Sequence, residues 1–315
     1  MIRLIVNRVL IAIPVLFVVA VTVFTIMHIT PGDPAAIMLG PEATPEEVEA
    51  LRRALGLDRP ILEQFASWIS GVVVGDLGDS IFLKQPVTEA IASHIGPTIE
   101  IAVLAQLITV VVAIPLGILA ARRQGRVSDQ VVMGAAMIGT SVPAFLLGLL
   151  LVLLLAVTFR ILPAGGYVSF TEDPAQALRF LILPAVSLAT AQTALLARMT
   201  RSSMIEILGQ NFIRTARAKG ASAMRVTVGH GLRNAAIPLL TVIAQSLGLL
   251  IGGSVVIETV FNVPGLGQLI INAITRRDYV VIQGVVLVTA LIYVAINLLV
   301  DILYAVLDPR IRVKG

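Results

Sequence analysis

Phe212–Pro238 reads FIRTARAKGASAMRVTVGHGLRNAAIP, and its charges are the sharpest chemical signal in the chain. Arg214, Arg217, Lys219, Arg225 and Arg233 fall within it, Arg198 and Arg201 lie just upstream, and no acid separates Ile207 from Ile257. Guanidinium and ammonium groups gathered in this way break no bonds. They suit an anionic surface, either an acidic protein groove or lipid headgroups. A segment this basic does not cross a bilayer, so it lies at a membrane face if its neighbours span one.

Other reactive chemistry is missing from the sequence. No Gly-Lys pair occurs, so there is no P-loop to cradle a nucleotide phosphate. H-E-x-x-H and G-x-S-x-G are absent. With no cysteine there is neither a disulfide nor a thiolate metal site, and the three histidines, His28, His94 and His230, are too far apart in sequence to suggest a metal cluster. The Gly-x-Gly of Pro264–Gly267 reads as a turn rather than a dinucleotide loop. No cofactor or metal is expected in the chain, and nothing in it suggests a nucleic-acid partner.

The neighbours of the basic segment do read as spans. Of 315 residues 57% are hydrophobic and 13% charged, with a mean hydropathy of +0.96. That excludes an ordinary soluble domain. Six continuous apolar runs, Val9–Ile29, Ile101–Ala121, Val131–Phe159, Phe180–Ala197, Ala236–Val260 and Val280–Tyr304, approach or exceed the ~20 residues a helix needs to cross the hydrocarbon. Their continuity favours helices over barrel strands. The first run is too long for a signal-peptide core and reads as a retained helix.

The positive-inside rule orients them. Arg3 and Arg8, then Arg122, Arg123 and Arg126, then the basic segment, then Arg310, Arg312 and Lys314 occupy alternate connections and both tails. The first connection, Thr30–Pro97, holds ten acids against Arg52, Arg53, Arg59 and Lys84. The expectation is an all-α integral membrane protein with six transmembrane helices and both termini cytoplasmic. It divides into residues 1–95, the first helix with an external segment, and 96–315, a five-helix core whose cytoplasmic loop covers about 203–235.

Inside the external segment, Thr44–Gly56 predicts a short helix, with Thr44 as N-cap, Pro45 at the first helical position and Glu46, Glu47 and Glu49 in the first turns. Ile61–Val74 predicts a second, with Leu62, Phe65, Trp68 and Ile69 on one face. They either lie on the outer membrane surface or form a cap. His28, Glu100, Glu258 and Asp301 are the ionisable groups within or bordering the spans, each near a span end. They do not assemble a proton relay, which counts against an ion-driven secondary transporter.

In the basic loop, Ile205, Leu208, Phe212, Ile213 and Ala216 predict one helical face, ended by Gly220 as a left-handed cap. Ala221–Leu232 predicts a second short helix, so that the loop forms a compact knob. RTARAKG (Arg214–Gly220) followed by HGLRNAAIP (His230–Pro238) resembles the coupling loop of ABC importer permeases, in particular the B-type membrane subunit of the oligopeptide/dipeptide family. PGDP (Pro31–Pro34), LGLDRP (Leu55–Pro60), GDLGDS (Gly75–Ser80), FNVPGLG (Phe261–Gly267) and LDPRIR (Leu307–Arg312) extend the likeness nearly end to end. Arg214-Thr215-Ala216 replaces the Glu-Ala-Ala of the wider importer pattern, and Pro238 lies farther from Gly220; both departures resemble the peptide subfamily.

The resemblance implies a type I importer permease with a MetI-like core, in the bacterial inner membrane. It implies a second homologous permease subunit, two cytoplasmic ATPase subunits that bind ATP-Mg, and an extracytoplasmic solute-binding protein. Arg214, Thr215, Ala216, Arg217, Ala218, Lys219, Gly220, Ala221, Arg225, His230 and Arg233 would form the ATPase-coupling loop. Thr140, Ser141 and Pro143 interrupt the third span, and Gln192 and Gln245 place amides within the fourth and fifth. Thr140, Ser141, Gln192 and Gln245 either line a solute path or satisfy helix–helix contacts. The competing readings are an ion-coupled secondary transporter and a non-transporting scaffold.

Overall fold

The computed structural model describes residues 2–29, 33–40, 42–54, 56–80 and 82–307. In chain order these form α1 (Ile2–Ile29), α2 (Pro34–Leu39), α3 (Pro45–Ala54), α4 (Ile61–Val74), strands β1 (Asp79–Ser80) and β2 (Gln85–Pro86), α5 (Val87–Arg122), α6 (Val127–Ser141) and α7 (Ala144–Leu151). Next come a wide π-helical stretch (Val152–Thr158), α8 (Pro174–Leu208), α9 (Asn211–Ala218), a second π stretch (Arg225–Leu232), α10 (Arg233–Phe261), α11 (Leu266–Arg276) and α12 (Tyr279–Leu307). The terminal motif Leu307–Arg312 lies largely outside the described residues, as do Pro31 and Gly32.

Among the described residues, five helices are long and apolar enough to cross a membrane by themselves. The sixth expected span, Val131–Phe159, is not a straight rod. It is the pair α6 and α7, bent by 102°. Val142 turns extended, and Pro143, which has no N–H to donate, opens α7 with φ −59° and ψ 137°. The spans on either side exceed the apolar runs that announce them: α5 starts at Val87 and α8 covers Pro174–Leu208. Asp173 starts α8 by accepting from the N–H groups of Ala175 and Gln176, both at 3.0 Å.

The chain divides into two compact units. The first combines Met1–Gly96 with Gly265–Leu298. In it α4 lies along α1: the Phe24 ring meets Phe65 at 5.2 Å and Trp68 at 5.6 Å, and His28 Nε2 hydrogen-bonds Gln64 Oε1 at 3.0 Å. Helix α3 opens on a capping box. The Glu47 carboxylate accepts from the Thr44 N–H at 2.8 Å, while the Glu47 N–H donates to Thr44 Oγ1 at 3.3 Å. The two strands pair antiparallel, Asp79 with Pro86 and Ser80 with Gln85, and Ser80 Oγ donates to Asp278 Oδ2 at 2.5 Å. Val87, Ala90 and Ile91 pack with Leu266, Leu269, Ala273, Val281 and Val285 as a shared core. Helix α11 has no counterpart in the sequence reading, which took residues 260–280 as a plain connection.

The second unit combines Pro97–Pro264 with Leu299–Gly315. Its core gathers Ala113 and Ala121 of α5, Leu196, Ala197 and Met204 of α8, and Leu239 and Val242 of α10. Small residues let these helices approach closely, the usual packing solution where lipid supplies no hydrophobic drive between helices. At Gly117 an added Cβ would fall 2.5 Å from Thr200 Cβ and 2.7 Å from the Ala197 carbonyl oxygen.

Candidate functional site

The basic knob is built on the end of α8. That helix stops at Leu208, the chain turns through Gly209 and Gln210, and α9 begins at Asn211. The predicted continuous face from Ile205 to Ala216 is therefore split between two helices. Helix α9 is strongly amphipathic: Ile213 is fully buried, Ala216 half-buried, and Phe212, Arg214, Thr215, Arg217 and Ala218 are exposed. Its end is local chemistry. Gly220 takes φ +83°, its N–H donates to the Arg217 carbonyl at 2.9 Å, and the Ala221 N–H donates to the Ala216 carbonyl at 3.1 Å. These two bonds make a Schellman cap, with Lys219 as C-cap. A Cβ on Gly220 would meet nothing within 4 Å, so backbone conformation alone selects glycine.

After the cap, Ser222 Oγ accepts from the Arg225 N–H at 3.3 Å and the chain enters the π stretch. The expected second short helix, Ala221–Leu232, does not end at Leu232. It runs directly into α10, so Arg225–Phe261 is one 37-residue helical rod. Val226, Thr227 and Gly231 are buried. A Cβ on Gly231 would lie 2.9 Å from Met204 Cε and 3.4 Å from Leu208 Cδ2, which shows how closely the stretch lies against α8.

The outward surface is Arg214, Arg217, Lys219, Arg225 and Arg233, with Phe212, Val228 and the 69% exposed Met224 among them, while His230 and Ala221 are half-buried. Among the described residues none of these five cations has a salt bridge. Buried Ile213, Val226 and Gly231 thus hold a rigid platform, and the platform carries unpaired positive charge beside apolar side chains. Such a surface suits docking to an acidic, partly apolar groove.

The proposed path residues are placed differently. Thr140 and Ser141 both sit at the α6–α7 bend and are exposed, but their hydroxyls are committed to their own helix, donating to the Met137 carbonyl at 3.0 and 2.8 Å. A Cβ on Gly139 would lie 3.3 Å from Thr190 Cγ2 and 3.5 Å from Ala194 Cβ. That puts Gln192 of α8 at the level of the bend. Gln192 Oε1 is buried with no hydrogen-bond partner. Gln245 of α10 is exposed. No hydrogen bond joins the four side chains among the described residues. Sequence reasoning passed over Gln106, which is 8% exposed: its Oε1 accepts from Ser246 Oγ at 2.7 Å and its Nε2 has no partner. It also passed over Asp129, the one acid in an arginine-rich connection. Asp129 holds Arg201 by two bonds, Nε to Oδ1 at 2.5 Å and an NH2 group to Oδ2 at 2.7 Å.

Residues 113–313 match the family described as binding-protein-dependent transport system inner membrane component, and residues 1–100 match its N-terminal counterpart. The chain belongs to this family. A Brucella abortus (strain 2308) protein named as a peptide transport system permease is 48% identical over 312 residues, 99% of each chain. The glutathione transport system permease GsiC of Escherichia coli (strain K12) is 42% identical over 314 residues, 100% of each chain. Among solved structures, an inward-facing MetNI methionine ABC transporter aligns with a TM-score of 0.55 and 19% identity, covering 70% of this chain and 96% of that one. At that identity the match speaks for the fold, which is the MetI-like permease fold expected from the knob motif. As an inner membrane component of a binding-protein-dependent transport system, the chain is a multi-pass transport permease.

Proposed function

We propose that this permease is one half of the translocation path of an ATP-driven ABC importer for di- or oligopeptides or similar small solutes. The carrying observation is the knob: a capped amphipathic helix fastened to α8, continuous with α10, and exposing five unpaired cations beside Phe212, Met224 and Val228. A cytoplasmic ATPase groove is its natural partner. Two such ATPases hold ATP-Mg, and their closure pushes on Arg214–Gly220 and Arg225–Arg233. Because the knob is fastened to α8 and built into α10, that push becomes movement of the spans. A second homologous permease completes the path, and an extracytoplasmic binding protein delivers solute. The alternating Lys and Arg support cytoplasmic N- and C-termini. The length of the external connection is the ground for dividing the chain into residues 1–95, with that segment, and 96–315, the part that carries the loop; by contacts Gly265–Leu298 groups with the first unit. Thr140, Ser141, Gln192 and Gln245 are offered as path residues, and Gln192 is the strongest of them because its buried oxygen lacks a donor.

The peptide class draws on the Brucella abortus relative, named for peptide transport, and on GsiC, named for glutathione, itself a peptide. The test is reconstitution of the permease pair with its ATPases and binding protein in vesicles. Uptake of radiolabelled tri-alanine with ATP on the ATPase side and no ion gradient supports the proposal. Uptake sustained by a proton or sodium gradient without ATP overturns it.

A further inference from the structure

We infer that Asp129 and Arg201 are positioning residues: their paired bonds make α6 and α8 one moving body, so that displacement of the knob reaches the bend at Val142–Pro143. The inference rests on the coupling role proposed for the knob. Three observations carry it. Arg201 lies on α8 about two turns before Leu208, where the knob begins. Its fork is closed on both oxygens of Asp129, in the first turn of α6, and Asp129 Oδ2 also accepts from the Gly125 N–H at 2.9 Å, so the loop before α6 is tied to the same carboxylate. At the far end of α6, Gly139 packs against Thr190 and Ala194, close enough that a Cβ there would lie 3.3 Å from Thr190 Cγ2 and push it back by a few tenths of an ångström.

The two helices are therefore fastened twice, by a bidentate ion pair at one end and by steric fit at the other. Asp129 is covered by its neighbours, with 5% of its side chain exposed against 27% for Arg201, and opening the pair costs the carboxylate two charge-assisted hydrogen bonds at once. Independent sliding or rotation of α6 against α8 would have to break the ion pair and lift Gly139 from Thr190. A push that enters α8 at Leu208 moves α6 with it. The end of α6 is the bend that carries Thr140 and Ser141.

The absence of cysteine makes this testable by single-site labelling. In the reconstituted complex, M224C reports whether the knob is covered by the ATPases, and T140C reports the state of the bend; both are read as alkylation rates with a polar maleimide, with and without ATP and vanadate. With Asp129 and Arg201 intact, M224C is protected and the T140C rate changes on trapping nucleotide. D129N and R201K remove the fork, R201K while keeping the positive charge. In both, M224C stays protected and the T140C response to nucleotide is lost. A T140C response that persists in both variants overturns the inference. Failure of R201K to assemble with the ATPases also overturns it, because the pair would then serve folding only. If M224C is unprotected even with the pair intact, the docking proposal falls and takes this inference with it, an outcome the T140C readout alone would not give.

Discussion

Thr98 Oγ1 donates to Glu258 Oε1 at 2.7 Å, across 160 positions of the chain, and Glu258 is fully buried. A carboxyl group taken out of solvent needs donors around it, and Thr98 is one that a substitution can remove cleanly. Thr98→Val keeps the shape and deletes the hydroxyl. The expected cost is about 1–3 kcal/mol, the range for removing the donor from a buried acceptor. Thermal unfolding of the detergent-solubilised permease measures it. A change in unfolding temperature no larger than that of an exposed control such as Thr171→Val would show that Thr98 contributes little.

Gly220 needs its positive φ and its N–H, and proline supplies neither. Gly220→Pro breaks the Schellman cap twice over, while Arg217→Glu reverses a charge on the exposed face without touching the backbone. Both variants should insert normally, fail to co-purify with the ATPases and lose ATP-driven uptake. Gly220→Ala is the milder case: the left-handed conformation costs a non-glycine residue about 1–2 kcal/mol, and no clash adds to it. Uptake should then rank wild type, Gly220→Ala, Gly220→Pro. Wild-type uptake in Gly220→Pro would remove the cap from the mechanism.

The capping box of α3 makes its first turn sensitive to acid. The hydrogen bond from the Thr44 N–H, with a smaller contribution from the Thr44 hydroxyl, holds the Glu47 carboxyl below its ordinary value of 4.5. A lowered folded value means the stabilisation is present above pH 4.5 and is lost as pH falls through the folded value. Amide exchange in residues 45–54, corrected for intrinsic rates, should lose protection below that pH, and Glu47→Gln should flatten the dependence. An identical pH profile in Glu47→Gln would assign the effect elsewhere.

Gly117 tests how tightly α5 meets α8. An added methyl would lie 2.5 Å from Thr200 Cβ, and no flexible side-chain end is there to yield. Gly117→Ala should destabilise the permease by about 1–3 kcal/mol through overpacking. Gly134→Ala, where a Cβ meets nothing within 4 Å, is the matched control. The difference in unfolding temperature between the two variants isolates the contact.

What the sequence reveals of this fold is mostly what is local. The α3 start is legible because Thr44, Pro45 and the following acids act within one turn, and Ile61–Val74 because its apolar face repeats at helical spacing. The knob's end is legible because a left-handed cap asks for glycine. Helix α11 is missed although Leu266, Leu269, Ile270 and Ala273 lie on one face; it is too short to span, and Gly265 and Gly267 mimic a turn. The run from the π stretch into α10 is missed for a tertiary reason. The expected helix stops at Leu232 because the basic loop gives way there to an apolar span, yet Gly231, against Met204, keeps the stretch close to α8 and the helix simply continues. The Asp129–Arg201 pair joins residues 72 apart, which no periodicity announces. Path residues are the least legible, because a hydroxyl or amide in a span reads the same whether it serves its own helix, as Thr140 and Ser141 do, or something beyond it.

The bend at Pro143 also decides what kind of group the chain can offer there. In an uninterrupted helix the Gly139 carbonyl would receive the N–H four residues on, and that residue is Pro143, which has none. The Ser141 and Thr140 hydroxyls spend their protons on Met137. On the other side of the corner α7 starts without a side-chain cap, so the N–H groups of Ala144, Phe145 and Leu146 find no acceptor within their own helix. The corner thus sets unmatched lone pairs at the end of α6 beside unmatched N–H groups at the start of α7, so the backbone itself, before any side chain is consulted, presents an acceptor edge and a donor edge where an unbroken helix would present neither.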